Sequence, residues 1–213
     1  MDLLIDKKVK DFCDVLASKE PAPGGGSAAA LSGVLGASLT VMVGNLTFGK
    51  KAYAALEPEI REQFEQDHRT METVRMELMK LIDEDTQTFN HYMEAVKKPK
   101  DTMEEQEVRE KAMEQAALQT LMVPLEVAQN CLMILKHQLT FVLYGNKNAV
   151  SDIGVGALLA FAGVEGAALN VKINLPGIRD EAVKNDVSEK IENCLNEARI
   201  LETKIQVMVN NRL

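Results

Sequence analysis

The chain has 213 residues, 46% hydrophobic and 26% charged, which is enough for a sizeable core and leaves no low-complexity tract. Aromatic residues are only 4% and Trp is absent, while Ala and Met are abundant, a balance that suits packed helices and disfavours a β-sandwich. The formal net charge of −8 leaves no basic stripe to neutralise phosphates and argues against a nucleic-acid partner.

Residues Leu3 to Lys19 read as an amphipathic helix with Ile5, Val9, Phe12 and Leu16 on one face. Next comes Pro21-Ala-Pro-Gly-Gly-Gly-Ser27. The two prolines fix φ and impose an extended entry. Gly24, Gly25 and Gly26 let a ligand or another chain approach closely, and Ser27 reads as the N-cap of the following helix. A glycine hinge feeding a helix N-terminus offers free N–H groups to an anion, and it serves equally as a linker that caps a buried helix.

From Ser27 to Gly49 there is no charged residue, and the length suffices for a membrane span. Ser32, Ser38, Thr40, Asn45 and Thr47 interrupt it, no interfacial Trp/Tyr pair flanks it, and its bulk is Ala and Gly. Gly33, Gly36, Thr40, Gly44 and Thr47 form a stripe nearly free of side chain, which reads as a buried central helix that ends at Lys50-Lys51 rather than as a span.

Glu57-Pro58 opens a helix to about Val96, with the stripe Ile60, Phe64, Met71, Val74, Leu78, Ile82, Phe89, Met93 and Val96. Between Ile82 and Phe89 the stripe falls on Asp85, whereas Asp83 and Glu84 point elsewhere. A carboxylate on a core face is costly unless paired or protonated, so Asp85 is a candidate functional group, or else it caps another helix or meets a lysine. Lys98-Pro99 is a break, and Thr102 with Glu105 has the form of a capping box for a helix to about Lys136 that Pro124 kinks or divides.

Tyr144 to Asn148 is a loop, closed by Ser151 or Asp152 as the next N-cap. The helix from there to about Ile173 repeats the small-residue stripe in Gly156, Ala160, Gly163, Ala167 and Asn170, and is the natural close partner of the first stripe. A last helix runs from Asp180 with Val183, Val187, Ile191, Leu195, Ala198, Ile205 and Val209 at helical spacing. The expected fold is all-α, a single domain over 1–213, a bundle of long helices around two buried helices rich in small residues.

Three cysteines, Cys13, Cys131 and Cys194, are expected as buried free thiols of a reducing cytoplasm, with no signal peptide ahead of the first helix. His68, His91 and His137 lack ligand spacing, so no metal site is expected.

An ordered set of motifs covers nearly the whole chain: Pro21 to Ser27, Gly44-Asn45-Leu46-Thr47 with Gly49-Lys50-Lys51 and Tyr53, Asp83-x-Asp85 with Phe89, Val123-Pro124-Leu125, Gly145-Asn146 with Ser151-Asp152, and Asn170-Val171 with Ile173-Asn174-Leu175. In these the chain resembles the formiminotetrahydrofolate cyclodeaminase/methenyltetrahydrofolate cyclohydrolase family. The resemblance implies an all-helical homodimer that binds folate in a cleft, with Asp85 as catalytic acid and a tetrahydrofolate derivative as substrate rather than a prosthetic group. It implies cyclisation of 5-formiminotetrahydrofolate to the 5,10-methenyl form with loss of ammonia, or alternatively hydrolysis of the methenyl form. Lys50 and Lys51 then suit the carboxylates of the glutamate tail. Gly24 to Ser27, Asn45, Asn146, Asn148, Ser151 and Asp152 are candidate folate contacts. Two rivals remain: a phosphate-binding module, which lacks the strand before the glycines and the Lys-Ser/Thr after them, and a helical scaffold or membrane-associated oligomer, which fractionation separates from a soluble enzyme.

Overall fold

A computed structural model of the chain describes residues 3–213, and over these there are helices and no β-strand. The helices in order are α1 (Val9–Leu16), α2 (Gly25–Thr47), α3 (Lys51–Ala54), α4 (Pro58–Val96), α5 (Met103–Tyr144), α6 (Val150–Asn174) and α7 (Glu181–Asn210), with short 3-10 turns at Lys147–Ala149 and Leu175–Gly177.

Local chemistry accounts for most of the boundaries. Pro58 occupies the first turn of α4, where its missing N–H costs nothing. The Thr102–Glu105 capping box opens α5: Glu105 N–H donates to Thr102 Oγ1 at 3.2 Å, and Thr102 N–H to Glu105 Oε2 at 3.0 Å. Pro124 lies buried inside α5 without dividing it, and the helix runs past Lys136 to Tyr144 because Phe141 and Val142 bury against the core. Asp180 opens α7, its Oδ1 accepting from the N–H groups of Ala182 and Val183 at 2.8 and 3.2 Å.

Other expectations need correction. The helix predicted over Leu3–Lys19 shrinks to Val9–Leu16, with Phe12 as its one buried residue. Residues 3–8 run irregularly instead because Asp83 takes their backbone: Leu4 N–H donates to Oδ1 at 2.6 Å and Ile5 N–H to Oδ2 at 3.3 Å. Val9, Leu16 and Cys13 are consequently exposed, while Cys131 and Cys194 are buried. Helix α2 begins at Gly25 with Gly24 as N-cap, so Ser27 sits in the first turn and caps nothing. The chain leaves α2 at Thr47, and Gly49 at φ 73° supplies the left-handed turn into α3. Ser151 and Asp152 lie in the first turn of α6, whose N-cap is Ala149.

The two small-residue stripes meet as the sequence predicts. Helices α2 and α6 run antiparallel with backbones in contact: a Cβ on Gly36 would stand 2.7 Å from the Gly156 carbonyl oxygen and 3.1 Å from Ala160 N. Cys131 of α5 closes the crossing, its Sγ seated 2.5 Å from a Cβ on Gly33 and 2.6 Å from one on Gly163. Helix α4 packs antiparallel to α2 on its other side, with Leu78 against Gly33 and His68 against Gly44. Helix α7 lies across α5 and α6.

By length and composition α2, α5 and residues 147–177 are each apolar enough to cross a membrane. Their small-residue faces are spent on one another, yet the rows of α2 and α6 turned away from α5 stay open, with Leu35, Met42 and Leu46 at 47, 36 and 43% exposure and Val155, Leu158 and Leu169 at 49, 53 and 68%.

Because the obstacle at Gly36 is backbone, Gly36→Ala should lower the unfolding free energy by about 1–3 kcal/mol, read from urea denaturation. Gly163→Leu should cost more or prevent soluble expression. Wild-type midpoints in both would mean that the stripes do not meet.

Candidate active site

Where the N-terminus of α2 meets the C-terminus of α6, the chain leaves a cavity of ≈ 530 Å³, within the roughly 300–1,000 Å³ of small-molecule sites. Pro21, Ala22 and the three glycines form one wall, with the Ala22–Pro23 peptide bond cis. Helix α4 contributes Asp85, Thr88, Phe89 and Tyr92, a single helical face at spacings of three and four. Thr120 of α5 and Asn170 and Asn174 of α6 close the far side, Asn174 Nδ2 being tied to the Thr120 carbonyl at 2.7 Å.

Asp85 reaches across from α4 and lies on the first turn of α2. Its Oδ2 accepts the Ser27 N–H at 2.8 Å, and the Ser27 hydroxyl stands 3.0 Å from Oδ2 and 2.8 Å from the Ile82 carbonyl oxygen. Its Oδ1 occupies the space that a Cβ on residue 26 would need, so Gly26 is a requirement of this contact and not only a source of flexibility. A Cβ on Gly25 would meet Asn170 Nδ2 at 3.4 Å.

Burial raises the Asp85 carboxyl above the ordinary aspartate value, against the opposing pull of the Ser27 side-chain and backbone hydrogen bonds. Among the described residues it is the one carboxylate in the cavity lining, and no Lys, Arg or His joins it there. Among the described residues no three His, Cys, Asp or Glu side chains gather to hold a metal ion.

The pattern of burial around Asp85 differs from the stripe. Asp85 is half-buried at the cavity wall, and Asp83, which the period turns outward, is the more buried of the two because residues 3–8 fold over it.

Gly24, Gly25, Gly26, Ser27 and Asp85 come together here. The remaining candidates do not. Asn45 lies twenty residues further along α2 than Gly25, about 30 Å along the axis, and Lys50 and Lys51 are exposed beyond it. Asn146 belongs to that same end: its N–H donates to Thr47 Oγ1 at 2.9 Å and its Nδ2 to the Leu46 carbonyl at 3.1 Å. Asn148, Ser151 and Asp152 follow it into the start of α6, which is antiparallel to α2. Of the residues that sequence reasoning left out of the site, Thr88 and Tyr92 carry one legible signal, helical spacing from Asp85 along α4, whereas Thr120 on α5 carries none.

Residues 8–193 match the family model described as formiminotransferase-cyclodeaminase. The chain is 36% identical over 208 residues to methenyltetrahydrofolate cyclohydrolase of Methylorubrum extorquens, covering 98% of both proteins. It is also 36% identical over 196 residues to formimidoyltransferase-cyclodeaminase of Gallus gallus, covering 92% of this chain and 36% of that longer protein. The crystal structure of formiminotetrahydrofolate cyclodeaminase from Thermotoga maritima has the same fold, with a TM-score of 0.83 at 27% identity over 97% of each chain.

The raised Asp85 carboxyl has a sign that can be tested. The folded protein holds this proton more tightly than the unfolded chain does. Its contribution to stability is therefore full below the unfolded aspartate pKa of about 4 and is lost as pH climbs through the folded value. Asp85→Asn cannot ionise and escapes that loss. The unfolding free energy of the variant relative to wild type should rise between about pH 3 and about pH 7. A relative value that falls over this interval would show that the bonds to Ser27 outweigh burial.

Proposed function

The chain belongs to the formiminotransferase-cyclodeaminase family, and from that membership we propose that it is a folate one-carbon enzyme, a 5-formiminotetrahydrofolate cyclodeaminase with Asp85 as its acid. The observation that carries the assignment is the Asp85 carboxyl at the cavity wall, lodged over Gly26 with its pKa raised by burial.

The reaction closes a ring and releases a nitrogen. N10 attacks the carbon of the protonated formimino group carried on N5, giving a tetrahedral carbon bonded to three nitrogens, one of them an NH₂ group. The departing nitrogen leaves as NH₃ and needs a proton to do so, while N10 sheds one as it attacks. One carboxyl beside that carbon serves both ends, accepting a proton near N10 and delivering one to the leaving nitrogen. A carboxyl of ordinary pKa is ionised near neutral pH and a poor donor, so the burial of Asp85 works in the required direction. Ser27 fixes the orientation of the carboxyl through Oδ2 and leaves Oδ1 for the proton transfer.

A second reading is methenyltetrahydrofolate cyclohydrolase, favoured by the Methylorubrum relative, which matches this chain end to end. Water then adds to the methenyl carbon and the bond to N5 breaks with protonation of that nitrogen, leaving a 10-formyl group. Both readings require an acid beside a departing nitrogen. In each the tetrahydrofolate derivative is the substrate and no prosthetic group is called for. The three free cysteines fit a cytoplasmic enzyme.

A homodimer is supported by the open apolar rows of α2 and α6, and by Ile173, a cavity residue that is 76% exposed. A second copy on that face would shield the cavity mouth from water. Only from such a copy would Asn45, Asn146, Asn148, Ser151 and Asp152 meet a folate held at Asp85.

The activity test follows methenyltetrahydrofolate absorbance with 5-formiminotetrahydrofolate and with the methenyl compound as substrates, ammonia being measured in parallel. Asp85→Asn should lower turnover by roughly 10²–10⁴-fold while folate still binds, and near-normal turnover would remove Asp85 from the mechanism. Leu158→Glu should sediment as a monomer where wild type sediments as a dimer; an unchanged mass would refute this interface.

A further inference from the structure

The cavity at Asp85 does not end at its own lining. Past Tyr92, Ala117 and Gly177, which belong to both, it adjoins a second hollow of ≈ 210 Å³. The side chains that set this hollow apart are Arg109 and Arg179, with Glu110 and Glu114 beside them.

The two arginines are held differently. Arg109 Nε–H donates to the Val96 carbonyl at 3.1 Å, which aims the guanidinium from the start of α5 across the end of α4. Among the described residues Arg109 enters no ion pair, so the terminal N–H groups of its fork remain for a ligand. Arg179, two residues past the Leu175–Gly177 turn, pairs with Glu110 at 3.1 Å, both side chains being more than half exposed. Such a pair has little net strength, and a better-placed carboxylate exchanges with Glu110 at small cost.

Resting on the folate reading above, we propose that Arg109 and Arg179 form the subsite for the glutamyl carboxylates of the substrate, within the same chain that supplies Asp85. A folate is long and carries its charge at one end. Its pterin and reacting nitrogens suit a cavity whose described lining holds one carboxyl and no cation, whereas its glutamate brings two carboxylates that need positive partners. Tyr92 stands at the passage between the two spaces, where the flat aminobenzoyl ring has to lie. Lys50 and Lys51 are remote from Asp85 in the same chain and reach the tail only from a second copy. Glu110 and Glu114 offset the arginine charge, so the tail competes with Glu110 for Arg179.

The test compares dissociation constants for tetrahydrofolate, its triglutamate and tetrahydropteroate, which lacks the glutamate. Arg109→Gln with Arg179→Gln should weaken tetrahydrofolate binding roughly ten- to hundredfold, and the triglutamate more. Tetrahydropteroate should bind this variant as it binds wild type, which also certifies the fold. Glu110→Gln should tighten tetrahydrofolate, an effect that a merely structural role for the pair would not produce. The subsite is overturned if the preference for tetrahydrofolate over tetrahydropteroate survives in the arginine variant, or if it disappears in Lys50→Ala with Lys51→Ala instead. Wild-type protein that binds none of the three compounds refutes the folate reading itself, and the subsite with it.

Discussion

A carboxylate can rest on the first turn of α2 only where residue 26 has no side chain. Asp85 Oδ1 fills that space, and Oδ2 takes the Ser27 N–H that the helix would otherwise leave without a partner. The contact joins α4 to α2 and closes one wall of the cavity, so the fold and the site depend on the same pair of atoms. It also sets two influences against each other. A helix N-terminus and two hydrogen bonds favour the charged carboxylate, while burial favours the neutral acid. Burial prevails, and a group that looks like a structural cap keeps the capacity to hold a proton at the cavity wall.

The close approach of α2 and α6 holds this wall in place. Glycines at 33, 36, 156 and 163 bring two backbones and one cysteine sulfur into contact, a packing that tolerates almost no added volume. The cost of so narrow a contact is little side-chain burial per residue, and the outward rows of both helices remain apolar and open. The homodimer proposed above would cover this face and bring the two ends of the α2–α6 pair into play together.

Much of this was legible in the sequence because it is local. Pro58, the Thr102–Glu105 box and Asp180 mark helix starts that the structure keeps, and the spacing of small residues identified which two helices touch. Asp85 stood out as a carboxylate on an apolar stripe. Two of the misreadings come from partners distant in sequence, and a third from the length of a helix. Ser27 has the form of an N-cap, but a carboxylate 58 residues away takes its hydroxyl and N–H, and the helix starts earlier. Asp83 looks solvated by periodicity, yet the N-terminal segment folds onto it. Asn45, Lys50 and Lys51 follow closely on the glycine motif in sequence, but twenty residues of helix carry them to the other end of the bundle.

Asp85 holds its proton more tightly than a free aspartate while it caps α2. Carbon-13 NMR of aspartate carboxyls, with the Asp85 signal identified by its loss in Asp85→Asn, measures this directly. The titration midpoint should lie clearly above about 4, the unperturbed aspartate value. A midpoint at or below that value would make Asp85 a permanently charged helix cap and contradict the role of acid proposed for it.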